Sequence, residues 1–288
     1  MLKKWFVICL LLIGAENVAQ AQYFYRWTEL GVSGGATQYF GDLNDNYGFH
    51  NIRENVGVFC RYNLNHYLAL RFSANYARVG YDDKYNKNPY QNERNLNFQS
   101  NIFDATVQAE FNFFRFETGN LDNEWTPYIT GGIGGFYYDP YTIFNGDKYY
   151  LRGIGTEGQN LPAYADRKYT NFALCFPIGV GVKWWLLPGV NMGLEITDRL
   201  TTTDYLDDVS TTYVGANNFA SDPSVINPTY YIQDRSLLKN PSDPLGRAGK
   251  QRGNSATKDQ YVMLQLHLSV QLRTYKCPVT PPYWRTHY

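Results

Sequence analysis

The sequence predicts an all-β protein, an eight-stranded antiparallel transmembrane β-barrel of the outer-membrane type with long extracellular loops. Three observations predict it. From Phe103 to Phe113, apolar Phe103, Ala105, Val107, Ala109, Phe111 and Phe113 alternate without error with Asp104, Thr106, Gln108, Glu110 and Asn112. Strands send alternate side chains to opposite faces, so this segment has one apolar and one hydrophilic face. The pattern recurs along most of the chain, with more apolar faces than one soluble core takes, whereas a barrel with an apolar exterior and a polar lumen uses both faces of each strand. After Ala15 no uncharged apolar stretch approaches the ~20 residues of a membrane helix, so any crossing is made by strands.

Eight segments keep their apolar residues to one parity. Thr28 to Tyr39 puts Leu30, Val32 and Ala36 outward and Glu29, Ser33 and Thr37 inward. Asn55 to Tyr62 carries Val56, Val58, Cys60 and Tyr62 on one face. Tyr67 to Tyr81 sets Leu68, Leu70, Phe72, Ala74 and Tyr76 against Arg71, Ser73 and Asn75. The fourth is the Phe103 segment, extended back to about Asn97. Thr126 to Tyr138 is glycine-rich, and its face stays open. Asn171 to Trp185 sets Leu174, Phe176, Ile178, Val180, Val182 and Trp184 against Cys175, Gly179, Gly181 and Lys183. Val190 to Thr203 opposes Met192, Leu194 and Ile196 to Asn191, Glu195, Thr197 and Arg199. Gln260 to Tyr275 alternates Val262, Leu264, Leu266, Leu268, Val270 and Leu272 with Gln265, His267, Ser269, Gln271 and Arg273.

The connections alternate as they do in outer-membrane barrels, short on the periplasmic side and long outside. Asn63 to His66, Arg115 to Glu124 and Leu186 to Gly189 are short; Phe40 to Glu54, Asp82 to Leu96, Asp139 to Tyr169 and Asp204 to Lys258 are long. An even strand count leaves both termini periplasmic. Side chains nearly fill a barrel of this size. The inward Glu29, Arg71, Asp104, Glu110, Lys183, Glu195 and Arg199 therefore read as a lumen network of opposite charges, since an unpaired buried charge is costly.

The first residues point to secretion: Lys3 and Lys4 precede an apolar run from Trp5 to Ala15, and Ala19-Gln20-Ala21 has the small-x-small cleavage pattern. This divides the chain into a signal peptide over 1–21, a barrel over 22–275 and a periplasmic tail over 276–288. Cys9 falls in the removed segment. The formal net charge is zero and the basic residues are unclustered, without the footprint of a nucleic-acid binder. The 26 tyrosines and 17 phenylalanines suit aromatic girdles against outer-membrane lipid. Cys60, Cys175 and Cys277 are distant and odd in number, so they indicate no disulfide framework.

Local motifs imply neither a cofactor nor a metal. In Gly131-Gly132-Ile133-Gly134-Gly135 the third glycine of a dinucleotide fingerprint falls on Tyr137, and glycines facing bulky lumen neighbours are the better account. Asp42, Asn44 and Asn46 start like a calcium loop, but Tyr47 stands where glycine is needed and Arg53 where a glutamate is. His50, near Asp82, Asp83, Asp207 or Asp208 at the rim, would be required for an Asp/His hydrolytic pair. His267 is expected to face the lumen, out of a substrate's reach. The dense polar run from Glu195 to Ser210 reads as a strand leaving the membrane at an acidic corner capped by aspartate turns.

Several of these residues resemble a family. Trp27-Thr28-Glu29-Leu30-Gly31-Val32, Gly34-Gly35-Ala36 and Tyr39-Phe40-Gly41-Asp42-Leu43 look like the N-terminal signature of the PorG-type outer-membrane barrels of Bacteroidota, and Asp204-Tyr205-Leu206-Asp207-Asp208-Val209-Ser210 looks like their late-strand signature. Thr126-Pro127-Tyr128, Pro177-Ile178-Gly179-Val180-Gly181 and Lys276-Cys277-Pro278 extend the likeness over nearly the whole mature chain. The resemblance implies a non-catalytic anchor or assembly component of the type IX protein secretion system, the exporter of C-terminally signalled cargo and, in gliding members, of surface adhesins. It also implies two partners, the periplasmic ring lipoprotein and its partner subunit.

A ring of that kind would meet the short turns, the mature N-terminus and the tail. In the tail, Pro278, Pro281 and Pro282 favour an extended chain, and Tyr283, Trp284 and Tyr288 are apolar anchors beside Cys277. A disordered terminus is an equal reading. Two alternatives use the outer end: a surface barrel whose long loops recognise a ligand, glycan or host surface, and a lipid-modifying or proteolytic barrel that needs His50 and the rim aspartates.

Overall fold

The computed structural model describes residues 27–45, 48–118, 121–187, 189–219 and 228–272. The signal peptide and the tail expected from the sequence lie outside the described residues. Alternation produces long strands: β1 (Trp27–Phe40), β2 (Arg53–Asn63), β3 (Leu68–Asp82), β4 (Asn97–Asn112), β5 (Trp125–Tyr138), β8 (Phe172–Leu187), β9 (Val190–Thr201) and β10 (Gln260–Leu272). Between β5 and β8 a small hairpin, β6 (Tyr141–Phe144) and β7 (Asp147–Tyr150), leaves the wall, touching it where Tyr141 pairs with Gln99. Each wall strand pairs antiparallel with the next, β5 directly with β8. Closure comes from β10 against β1, in register from Thr28↔Leu272 to Phe40↔Gln260. An eight-stranded wall without open edges results.

One parity of each strand points out. Val32, Val58, Phe103, Ile178, Leu194 and Leu268 are all exposed, part of a continuous apolar belt. Exposed apolar patches on soluble monomers are confined to a few hundred Å². A belt around a closed wall with a polar interior is the construction of a transmembrane barrel. Asp198 also stands on this face, half-buried, in register with Ile178 and Val262. No helix among the described residues is long and apolar enough to cross a membrane.

The face of β5 that the sequence leaves open is now assigned. Thr126, Tyr128, Thr130, Phe136 and Tyr138 are buried in the barrel, whereas Trp125, Ile129, Ile133 and Tyr137 are exposed on its outside. Space for Tyr128 comes from Gly181 across the pairing, where an added Cβ would lie 2.5 Å from the ring Cζ.

The short connections, 64–67, 113–124 and 188–189, gather at one end, and the long ones, 41–52, 83–96, 139–171 and 202–259, at the other. Among the described residues the long ones contain three short α-helices, α1 (Pro89–Arg94), α2 (Leu151–Ile154) and α3 (Pro228–Gln233), besides 3-10 turns. They form a folded cap. Leu43, Leu96, Phe144, Leu151, Leu206, Val209 and Ile232 are buried in one cluster with the inward residues Tyr39, Phe98, Phe136, Tyr138 and Tyr261 at the top of the barrel. The Asp204 to Ser210 run, expected to be an acidic corner where a strand leaves the membrane, is part of the cap's interior: Asp204, Leu206, Asp207, Asp208, Val209 and Ser210 are all buried.

Candidate functional site

Two polar assemblies occupy the molecule, one in the lumen and one in the cap. In the lumen, Glu110 of β4 is the hub. Its Oε2 receives Arg61 Nε at 2.9 Å and Lys183 Nζ at 3.2 Å. Its Oε1 lies 3.1 Å from Arg71 Nη1, an ion pair without hydrogen-bond geometry. Arg61 Nη1 also donates to Glu29 Oε2 at 2.8 Å. Arg71 grips Glu195 with both Nη atoms at 2.7 Å, and that carboxylate further accepts the Tyr128 hydroxyl at 2.7 Å and Thr197 Oγ1 at 2.6 Å. Three cations, Arg61, Arg71 and Lys183, thus face three carboxylates, Glu29, Glu110 and Glu195, all buried. Above them Arg199 Nε donates to Asp104 Oδ2 at 2.9 Å and Asn75 Nδ2 to Asp104 Oδ1 at 2.6 Å. Matched charge and bidentate geometry are what let ions persist in a closed interior.

Arg61 is the network member that sequence reasoning missed. The signal was present: it shares parity with Asn55, Phe59 and Asn63, opposite Val56 and Val58. His267 is buried, its ring 5.1 Å from that of Phe59. Cys175 is buried and Cys60 half-buried, both as free thiols.

In the cap, the two halves of the resemblance meet. The Tyr39 hydroxyl donates to Asp207 Oδ2 at 2.5 Å, and Asp259 Oδ1 lies 3.1 Å from the same oxygen. Asp207 Oδ1 accepts Val209 N, Asp259 Oδ2 accepts Leu206 N, and Asp204 Oδ2 accepts Ser210 Oγ at 2.6 Å. Asp208 adopts a left-handed backbone, φ 65°, and its carboxylate receives Thr156 Oγ1 at 2.5 Å and the Tyr169 hydroxyl at 2.6 Å. The Tyr169 ring stacks on Tyr205 at 4.6 Å. Glu157 completes the knot, accepting Ser210 N at 2.9 Å and Thr211 Oγ1 at 2.6 Å and pairing with Arg252 at 3.2 Å. The same logic fixes the second long connection, where Arg94 clasps Asp83 at 2.7 and 2.8 Å.

Burial pushes the cap aspartates up. It raises the Asp204 carboxyl to about 7, with Asp42 and Glu157 adding to the shift, and Asp208 to about 6 despite Arg252 beside it. Asp207 and Asp259 are raised well above the usual carboxylate range by burial, with Asp259 and Asp42 bearing on the first and Asp204 and Asp42 on the second. Among the described residues no group of three or more His, Cys, Asp or Glu has the arrangement to hold a metal ion.

The Asp/His pair that hydrolysis would need does not form among the described residues. The His50 ring stacks on Tyr85 at 5.3 Å, while Asp83 is held by Arg94, Asp207 by Tyr39 and Asp208 by Thr156 and Tyr169. Asn44, the middle residue of the calcium-like start, bonds instead to the Tyr39 and Gly48 backbone; Asn46 lies outside the described residues. So do Cys277, Pro278, Tyr283, Trp284 and Tyr288 of the tail.

A family model described as "Domain of unknown function (DUF6089)" matches residues 3–221. No curated protein matches the chain. Similar solved structures include Ail, the attachment invasion locus protein of Yersinia pestis, at 9% identity over 86% of this chain and 99% of that one, with a TM-score of 0.40. Neisserial surface protein A is similar at 9% identity over 85% and 97%, TM-score 0.41. The N-terminal barrel domain of Pseudomonas aeruginosa OprF is similar at 10% identity over 86% and 100%, TM-score 0.36.

Proposed function

Since the chain belongs to the family described as "Domain of unknown function (DUF6089)", we propose a role from the molecule's own geometry: a non-catalytic, non-conducting barrel of a Gram-negative outer membrane that works through the surfaces at its two ends. The observation that carries this is the Glu110 hub, which ties β2, β3, β4 and β8 together across the lumen. A solute would have to break buried ion pairs to pass. Planar-bilayer recording tests this part; stable unitary conductance from the intact protein would overturn it.

The specific assignment is to the type IX secretion machine, as an anchor whose short turns and tail face the periplasm and meet the ring lipoprotein and its partner subunit. Supporting it are the two signature segments that meet at Tyr39 and Asp207. The experiment is a gentle-detergent pull-down of the tagged protein from its own membrane, beside the same protein cut after Tyr275. Ring subunits recovered with the full chain alone support the anchor and a contact in the tail; recovery with neither overturns it.

The second reading is an outer-surface recognition barrel, with the long loops facing outward. It is favoured by the cap: the four long connections share one buried core, and a folded surface costs less to order on binding than free loops do. Exchange of Asp204 to Lys258 abolishes function under this reading and spares it under the anchor reading.

A further inference from the structure

We propose that the cleft between the first, second and fourth long connections binds a small neutral saccharide. The inference rests on the outer-surface recognition reading and gives it a ligand class. The cleft is a cavity of about 540 Å³ at the capped end, walled by residues from three separate segments, 40–45, 88–94 and 251–260. That volume is within the usual range for small-molecule pockets, enough for about two or three sugar rings.

Its chemistry is that of planar amides with capacity left over. Asn88 spends its Oδ1 on Tyr90 N and Asn254 its Oδ1 on Ala256 N, and each keeps its amide hydrogens. Gln251 and Gln260 make no side-chain hydrogen bond among the described residues. Gln91 is the sharpest case: it is buried, and its Oε1 meets no protein donor. A buried acceptor left unpaired is costly, and because Gln91 lines the cleft, turning its amide toward a ligand hydroxyl would satisfy it. An amide both donates and accepts, as does a sugar hydroxyl, so a wall of amides matches a ring of vicinal hydroxyls.

The two arginines and Asp42 in the wall are already matched, and exposed Lys258, which makes no ion pair among the described residues, offers an anion a single solvated ammonium. Arg94 commits Nε and Nη2 to Asp83 and Nη1 to the Arg252 carbonyl. Arg252 pairs with Glu157, and the Asp42 carboxylate accepts Asn254 N at 2.8 Å. No free guanidinium fork is offered to a sulfate or phosphate. One aromatic face completes the site: the Tyr90 hydroxyl donates to the Gln251 carbonyl, which holds the ring across the cleft while it stays 38% exposed. Sugar rings stack their C–H faces on such a surface.

The test uses the full chain in lauryldimethylamine oxide micelles, whose headgroup has no sugar to compete. Saturation-transfer NMR and calorimetric titration are run with cellobiose, lactose, diacetylchitobiose and maltotriose, with inorganic sulfate as the anionic comparison. The expected result is binding of at least one neutral sugar, weakened about tenfold or more by Tyr90→Ala and by Gln91→Leu. Heat-modifiable gel mobility reports that each variant remains a folded barrel, and Gln251→Ala, at an exposed position, serves if either fails to fold. No binding in the panel, undiminished binding by the variants, or a preference for sulfate overturns the proposal. Immobilised host-surface proteins probed in parallel separate the two levels: capture that survives Tyr90→Ala with no sugar bound overturns the saccharide site and leaves surface recognition standing, and failure of both overturns both.

Discussion

The Tyr39 hydroxyl stands 2.5 Å from Asp207 Oδ2 and 3.1 Å from Asp259 Oδ1, so one side chain at the capped end of β1 fastens both ends of the fourth long connection. Tyr39→Phe keeps the ring and its edge contact with Phe98 but removes the hydroxyl between Asp207 Oδ2 and Asp259 Oδ1, leaving each carboxyl only its backbone donor. The expected loss is about 1–3 kcal/mol, confined to the cap. Hydrogen exchange checks it: faster exchange in 202–259 with unchanged β4 and β5 is the expected pattern, and uniform acceleration would count against a local role.

Glu110→Gln removes the hub and leaves Arg61 and Lys183 with too little negative charge around them. Breaking a buried ion pair from one side costs about 3–5 kcal/mol, whereas removing both partners is far milder. Urea unfolding in lipid vesicles should therefore show a large loss for Glu110→Gln and recovery of most of it when Lys183→Met is added. Equal stability of the single and double variants would refute the charge-balance account.

The cap should loosen as pH rises. Burial raises Asp204 to about 7 and Asp208 to about 6, so the folded cap holds these protons more tightly than an opened one. Stability is therefore full below the ordinary aspartate value of 3.8 and is lost as pH climbs toward about 7. Limited proteolysis within 202–259 should be slower at pH 5 than at pH 8, and Asp204→Asn should flatten the difference. The opposite slope would overturn the assignment.

Asp198 stands on the lipid-facing side of β9, between Ile178 and Val262. A carboxylate there is unfavourable, by less than the penalty for a buried lysine, so Asp198→Leu should stabilise the barrel in vesicles by about 1 kcal/mol. Destabilisation instead would point to a polar partner for that carboxyl within the membrane.

The wall was legible because lipid and lumen impose opposite chemistry at every second residue. Val190 to Ile196 alternates against Asn191 and Glu195, and Val56 and Val58 locate β2 in the same way. Arg61 was legible by parity but stood beside Tyr62 at a strand end, where an arginine passes for a rim residue. The face of β5 was not legible, because Gly131, Gly132, Gly134 and Gly135 carry no side chain to vote. Nor was the cap. Leu43, Leu206, Val209 and Ile232 come from different connections with no shared period, so the local string Asp204 to Ser210 looked like an acidic corner. Its depth depends on Tyr39, Glu157, Arg252 and Asp259, which no spacing rule brings together.

β1 pairs with β10, and Glu29 on the first strand receives Ser269 Oγ from the last at 2.9 Å. The wall and its interior lattice therefore share one seam, and neither can close until the final described strand arrives. Seven strands in order would be an open ribbon with two unsatisfied backbones and a carboxylate missing a donor, a state that lipid does not tolerate. Whatever machinery inserts the chain must hold that ribbon until Gln260 to Leu272 is delivered. The seam thus acts as an assembly checkpoint: a chain lacking that strand is recognisably unfinished.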